Sequence, residues 1–346
     1  MSKTQPRYVV GDIWDERIVM GHGSGGRKMH RLIARVFLKH FGNPVLRRLE
    51  DGARIGVKGR RLVMSTDSYV VQPLFFPGGD IGKLAVCGTV NDIAVMGAAP
   101  EHLSVGFIVR EGVELDLIEK LCRSIGRTAK QAGVKVVAGD TKVIEKGDDE
   151  GVYINTTGIG TVRTRVKLGP EQVKAGDAIL LNGSIGDHEA AVAVARGVFR
   201  FRARLASDCA PLAGLIQKLV SGPGVKMMRD PTRGGLATTL NEIAEATGLG
   251  LVLHEELVPI SPAVRGVAEL LGLEPLYMAN EGKVIVVASP EAEKRLTKEM
   301  HKHVYGRKAC RVGEVVAEPK GVWLRTAIGS LRRLIMLEGQ QLPRIC

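Results

Sequence analysis

The sequence predicts two α/β domains in tandem, and three observations carry that prediction. Apolar runs of strand type alternate with longer runs of helical period along the chain. The alternation is interrupted by the polar, turn-rich segment Gly169-Pro170-Glu171-Gln172-Val173-Lys174-Ala175-Gly176-Asp177, and it resumes in the same style at Ala178-Ile179-Leu180-Leu181. The 346 residues, 45% hydrophobic and 25% charged, suffice for two cores without covalent staples.

Taken in order, Leu62-Val63-Met64 reads as a strand, 83–97 as a helix and 103–109 as a strand. In 114–132, Leu115, Ile118, Leu121, Cys122, Ile125 and Ala129 fall at i, i+3, i+4 spacing, and Gly133 suits the end of that amphipathic helix. Strands follow at 134–138 and 152–161. Beyond the boundary, helices are predicted at 188–196, 236–247 and 291–303, with strands at 249–254, 283–288 and 322–325.

Composition removes several function classes. Five widely spread cysteines (Cys87, Cys122, Cys209, Cys310, Cys346) form no CxxC pair and no zinc-spaced cluster, which points to a reducing, cytoplasmic setting. No apolar signal core opens the chain, and no uninterrupted apolar run of about 18 residues occurs, so membrane insertion is not expected. The net charge of +12 is spread along the sequence and aromatics are only 4%, without a stacking motif, which favours phosphate-bearing ligands over nucleic acid.

The chain ends in Pro343-Arg344-Ile345-Cys346, a thiol at the tip of a segment with little capacity to fold. From Leu337 onward there is no sustained apolar period, and ten extended residues reach roughly 33 to 36 Å. The tail is expected to be a mobile carrier arm, with an accidental terminal cysteine and an intermolecular disulfide as alternatives. The thiol, with a free pKa near about 8.5, is not strongly activated by its neighbours. Prenylation needs the cysteine four residues from the end and is excluded.

Gly21-His22-Gly23-Ser24-Gly25-Gly26 has the formal GxGxxG spacing but lacks the strong preceding strand of a dinucleotide turn, and Arg27-Lys28 does not complete a Walker A loop. What remains is a glycine-rich segment whose backbone N–H groups at Gly23, Gly25 and Gly26 could cover phosphates. Asp67, Asp140 and Asp230 follow strand-like runs, where carboxylates border ligand crevices. Asp92 lies in a helix apolar on nearly every side, so its carboxylate faces inward and needs a partner; a divalent cation such as Mg2+ would satisfy it. Taken singly, each aspartate is an ordinary cap or turn residue.

Together, Ser65-Thr66-Asp67-Ser68, Gly88-Thr89-Val90-Asn91-Asp92-Ile93, Gly139-Asp140-Thr141-Lys142 and Asp230-Pro231-Thr232-Arg233-Gly234-Gly235-Leu236 resemble the ATP-dependent superfamily of aminoimidazole ribonucleotide synthetase, selenophosphate synthetase and thiamine monophosphate kinase. The N-terminal Gly-His-Gly-Ser-Gly-Gly, the stretch 72–82, Ala279-Asn280-Glu281-Gly282 and the terminal Pro-Arg-Ile-Cys are similar to its hydrogenase maturation branch, the HypE family of carbamoyl dehydratases. The resemblance implies two α/β domains of the aminoimidazole ribonucleotide synthetase type, with the N-terminal one forming a β-barrel-like interface in a homodimer. It implies ATP and Mg2+ as cofactors, with Asp67, Asp92 and Asp230 holding metal and phosphates and Asn91, Asp140 and Thr141 nearby. It also implies carbamoylation of Cys346 by the carbamoyltransferase HypF, dehydration to a thiocyanate with Lys142 and Glu281 moving protons or polarising the carbonyl, and delivery to a HypC–HypD scaffold complex. The corresponding organisation is 1–45 as a nucleotide-covering segment, 46–168 as the ATP-binding and dimerisation domain, 169–336 as the C-terminal domain and 337–346 as the tail.

Three other readings stay open at this stage. An enzyme of the same superfamily acting on a free metabolite would not need Cys346. A docking adaptor would not need Asp92 or Asp230. A metal chaperone would have to rely on His301, His303 and Cys310, and side chains at i, i+2 do not share a helical face.

Overall fold

The computed structural model of the chain describes residues 20–23, 26–41, 43–57, 60–163, 166–197, 205–339, 341–342 and 345. Two short helices, α1 (Arg27–Leu32) and α2 (Leu38–Phe41), precede the first sheet. That sheet is built from β1 (Ala53–Val57), β2 (Arg60–Tyr69), β5 (Ala98–Arg110), β6 (Lys135–Ile144) and β7 (Val152–Val162), in the order β1-β2-β7-β5-β6. A small hairpin, β3 (Phe75–Phe76) and β4 (Gly79–Asp80), leads into α3 (Ile81–Val95), and α4 (Leu115–Ala132) crosses between the parallel pair β5 and β6.

Period-two alternation sets which side chains meet α3. In β2, Val63, Ser65 and Tyr69 are buried, with Asp67 on the same face, while Met64, Thr66 and Ser68 are exposed. The strand β6 is an edge, paired only to β5 among the described residues, and Val136, Val137 and Val143 on it are exposed. Asp80 caps α3 by accepting from the Lys83 N–H at 3.0 Å. The α3 helix is buried on nearly every side, between the sheet, α4 and the second domain.

The second sheet contains β8 (Ala178–Leu181), β9 (Val225–Arg229), β10 (Gly250–His254), β11 (Ile285–Ala288), β12 (Cys310–Val316), β13 (Gly321–Arg325) and β14 (Leu331–Leu334). Their order is β14-β13-β10-β12-β8-β11-β9, with β10 and β13 parallel and the other neighbours antiparallel. Helices α5 (Asp187–Ala195), α6 (Ala213–Leu219), α7 (Gly235–Thr247), α8 (Pro262–Leu271) and α9 (Pro290–His301) complete the domain. The central strands β8 and β11 are buried throughout, which is why they read as continuous apolar runs rather than as alternations.

The domains share a core. Leu84, Cys87, Val90 and Ala94 of α3 belong to the same cluster as Leu212, Leu215, Ala279, Val286 and Ile345. Asn91, 1% exposed, ties the domains together in that cluster: its amide donates to the carbonyls of Ala210 (3.1 Å) and Glu281 (3.3 Å) and accepts from the Leu212 N–H (2.8 Å). Among the described residues no helix is long and apolar enough to cross a membrane.

Candidate active site

Where α3 meets the second sheet, aspartates from separate elements converge. Asp92 projects from α3, Asp51 precedes β1, and Asp230 immediately follows β9; one carboxylate oxygen from each lies within 4.8 Å of the others. The neutral Ser65 hydroxyl donates to Asp92 Oδ2 at 2.5 Å, and Asp230 Oδ2 is buried with no hydrogen-bond partner among the described residues. Burial first, then the charges of Asp67, Asp230 and Asp51, holds the Asp92 carboxyl well above the usual range. Burial and Asp51 do the same to Asp230, and burial lifts Asp51 to about 6 against the pull of Arg229.

Arg229 is the cation built into this cluster. It donates through Nε to Asp51 Oδ1 at 2.7 Å and through Nη2 to Glu242 Oε2 at 2.6 Å, and Glu242 Oε1 in turn meets His30 Nε2 at 3.2 Å. One guanidinium is therefore shared between Asp51 and Glu242, and the described hydrogen bonds give Asp92 and Asp230 no cation of their own. An all-oxygen donor set of converging carboxyls with an orphaned buried oxygen suits a hard divalent cation such as Mg2+, whose charge would favour their ionised forms. Asp67 stands beside this group on β2, its Oδ2 accepting from the Tyr69 hydroxyl at 3.2 Å. Burial, followed by the charges of Asp67 and Asp92, raises the Tyr69 pKa.

Glu281 comes from the second domain, just before β11, and is 3% exposed. Its N–H donates to Asp208 Oδ1 at 3.2 Å, and Asp208 is ion-paired with Lys283 at 2.7 Å. Burial, then the nearby Cys209, Asp208, Asp230 and Asp67, raises the Glu281 carboxyl well above its ordinary value. Cys209 lies against Cys87 of α3; that thiol contact and burial raise the Cys209 pKa.

The sequence-predicted residues divide by position. Asp67, Asp92 and Asp230 come together, and Glu281 senses two of them. The Asn91 amide is engaged by backbone partners and holds Glu281 and the 210–212 segment. Asp140, Thr141 and Lys142 are on β6. Asp140 aligns with Gly106, Gly106 with Asn155 and Asn155 with Ser68, so three strand spacings, about 14 Å at the usual interval, separate β6 from β2 within one chain. In the glycine-rich segment Gly23 ends a 3-10 turn and Gly25 lies outside the described residues. Gly26 packs so closely on the tail that an added Cβ would meet the Leu337 carbonyl at 2.5 Å. The first α1 N–H groups are also taken, Arg27 by the Leu337 carbonyl (2.9 Å) and Lys28 by that of Glu338 (3.4 Å), which leaves them engaged rather than open to phosphate.

Cys346 lies outside the described residues, but the tail before it does not hang free. Gln341 accepts from the Glu274 N–H at 2.8 Å and donates to its carbonyl at 3.1 Å, and Ile345 is 5% exposed. Sequence reasoning also missed Asp51, Arg229, Glu242 and His188. Asp51 sits in an ordinary-looking acidic turn, Leu49-Glu50-Asp51-Gly52, with no periodic signal. Arg229 had a weak one, its place directly before Asp230.

Family models for AIR synthase related proteins match this chain, the N-terminal domain over residues 49–162 and the C-terminal domain over 174–324. The carbamoyl dehydratase HypE of Bradyrhizobium diazoefficiens is 45% identical over 338 residues, covering 97% of this chain and 98% of its own. The structure of a HypE–HypF complex aligns with a TM-score of 0.84 at 44% identity, covering 88% of this chain and 99% of the other. That of a HypE in complex with ATP aligns at 0.80 and 45% identity, covering 95% and 100%. The chain therefore belongs to the AIR synthase related family and, within it, to the carbamoyl dehydratases of the HypE type that act in hydrogenase maturation.

Proposed function

We propose that the protein dehydrates a carbamoyl group carried on its own Cys346, converting a thiocarboxamide to a thiocyanate with ATP and Mg2+ for the cyanide ligand of [NiFe] hydrogenase. The observation that supports this reading best is the burial of Ile345 in the core shared by both domains, one residue before the thiol. A free-metabolite enzyme has no use for a tail held there.

Asp51, Asp92 and Asp230 would hold Mg2+, with Asp67 beside them, a set that fits because their oxygens converge and Asp230 Oδ2 is unpartnered. MgATP supplies the phosphoryl group that turns the amide oxygen into a competent leaving group. Over the reaction the thiocarboxamide loses the elements of water and ATP gives ADP and phosphate. Glu281, whose raised carboxyl holds a proton more readily than a free one, hydrogen-bonds the carboxamide, and its shuttle role is to take up the N–H proton and pass it on. Lys142 contributes from a second copy of the chain: the exposed apolar edge β6 pairs two first sheets in a homodimer and carries Asp140, Thr141 and Lys142 across to the partner's aspartates. Carbamoylation by HypF fits the relative seen in a HypE–HypF complex; delivery goes to a HypC–HypD complex in the cytoplasm.

The test is mass spectrometry of the C-terminal peptide after carbamoyl phosphate, HypF and MgATP. Gain of one carbamoyl group on Cys346, followed by loss of one water, is expected. An unmodified terminus with active HypF and bound ATP would sink the reading. Mixed dimers of Lys142→Ala and Glu281→Gln subunits should regain activity that neither variant has alone; no recovery would rule out the contribution in trans.

A further inference from the structure

The tail is held at three points, and the last has a chemistry of its own. Its base is tied to α1 through Leu337 and Glu338, its middle to Glu274 through Gln341, and its end to His188 of α5. His188 is fully buried, and its Nε2 lies 3.0 Å from the Ile345 carbonyl.

A carbonyl oxygen only accepts, so Nε2 carries the proton. In a neutral ring Nδ1 is then an acceptor, and the Ser207 hydroxyl, 2.8 Å away, donates to it. Ser207 is itself fixed: its Oγ accepts from the Cys209 N–H at 3.0 Å, and its own N–H donates to the Pro77 carbonyl at 2.7 Å. The edge of Phe76 packs on the imidazole at 5.3 Å and 86°, and burial lowers the His188 pKa, which keeps the ring in the neutral state the relay needs. Undocking the tail would leave the Nε2–H without this partner.

We propose that His188 is the positioning residue that latches the C-terminal tail: with Ser207 it forms a neutral hydrogen-bond relay that grips the Ile345 peptide and so sets the register in which Cys346 enters the site. The proposal rests on the reading of Cys346 as the carrier. Burial of the Ile345 side chain gives affinity but little direction. A slip of one residue along the tail would displace the thiol by up to about 3.3–3.6 Å, and the directional bond from Nε2 to the Ile345 carbonyl selects against that slip.

The test uses the full-length protein and two readouts. The first is the rate at which a bulky maleimide alkylates Cys346, read by mass on the peptide released by cleavage after Glu338; it needs no carbamoyl chemistry. The second is single-turnover dehydration of the carbamoylated protein. His188→Phe keeps the ring packing and removes the bond; alkylation should rise and dehydration fall by about tenfold each, the worth of one lost hydrogen bond. His188→Gln, which returns an N–H donor near the Nε2 position, should recover most of both, as a merely structural role would not. Ser207→Ala should shift both in the same direction by less, and it carries the test if His188→Phe does not fold. Wild-type alkylation in folded His188→Phe or in Ser207→Ala would overturn the latch. Dehydration that persists in Cys346→Ser would instead overturn the carrier reading, whatever the alkylation rates show.

Discussion

Asp230→Asn is expected to make the metal-free protein more stable while destroying its metal site. Asp230 is 7% exposed, its Oδ2 has no partner, and Asp51 and Asp67 are among the charges facing it. Its folded-state pKa is raised, by burial first and Asp51 second. A carboxyl with a raised folded pKa contributes its full stability below its unfolded value of about 3.9 and loses it as pH rises through the folded value. Near neutral pH it is therefore a burden, which a neutral isostere removes. An unsatisfied buried polar group costs about 1–3 kcal/mol, so the variant should gain that much in EDTA, a rise of roughly 1–2 °C in Tm per kcal/mol for a chain of this length. Mg2+ should reverse the order: a cation at about 100 times its Kd stabilises a folded site by about 2.7 kcal/mol, and the variant forfeits this. Asp51, raised to about 6, adds a pH signature, since metal-free wild type should lose stability as pH rises from about 4, the unfolded carboxyl value, to about 6 and then level off towards about pH 7. Thermal melts of both proteins in EDTA and in MgCl2 across that range decide it. If Asp230→Asn melts below wild type in EDTA near neutral pH, or if Mg2+ raises both proteins equally, the reasoning is refuted.

Three further outcomes follow from the same geometry. Glu281→Gln preserves the shape of the buried side chain and removes its titratable proton, so folding and ATP binding should hold while single-turnover dehydration falls by about 10²–10⁴; a wild-type rate would remove Glu281 from the chemistry. Arg229→Met leaves Asp51 and Glu242 buried without their shared cation and should cost about 3–5 kcal/mol in urea unfolding; a loss within experimental error would mean the network is not needed for stability. Asn91→Ala removes three bonds between α3 and the second domain, and should cost about 3 kcal/mol and lower kcat by displacing Glu281, with ATP affinity unchanged. Weakened ATP binding at a wild-type kcat would return Asn91 to a nucleotide-contacting role.

Much of this protein was legible in the chain because the signals are local. Helical period placed the amphipathic α4, and an acid within an apolar run marked Asp92 as inward-facing. Those inferences need only the geometry of one element and the cost of a buried charge. Strands that pair far from their sequence neighbours were less visible: β1 and β14 are edge strands with mixed polarity, and β12 is broken by Gly313 within a register shift. The sequence by itself determined the two-domain α/β class, the family motifs and three of the converging carboxylates. Only the tertiary structure decided that Asp51 joins Asp92 and Asp230, that Arg229 is spent on Asp51 and Glu242, that Lys142 stands three strands away, and that the tail ends against His188. The reason is physical: a side chain's direction follows from its own backbone, but what it meets depends on which distant segments the sheets and the shared core bring together, and no local period encodes that.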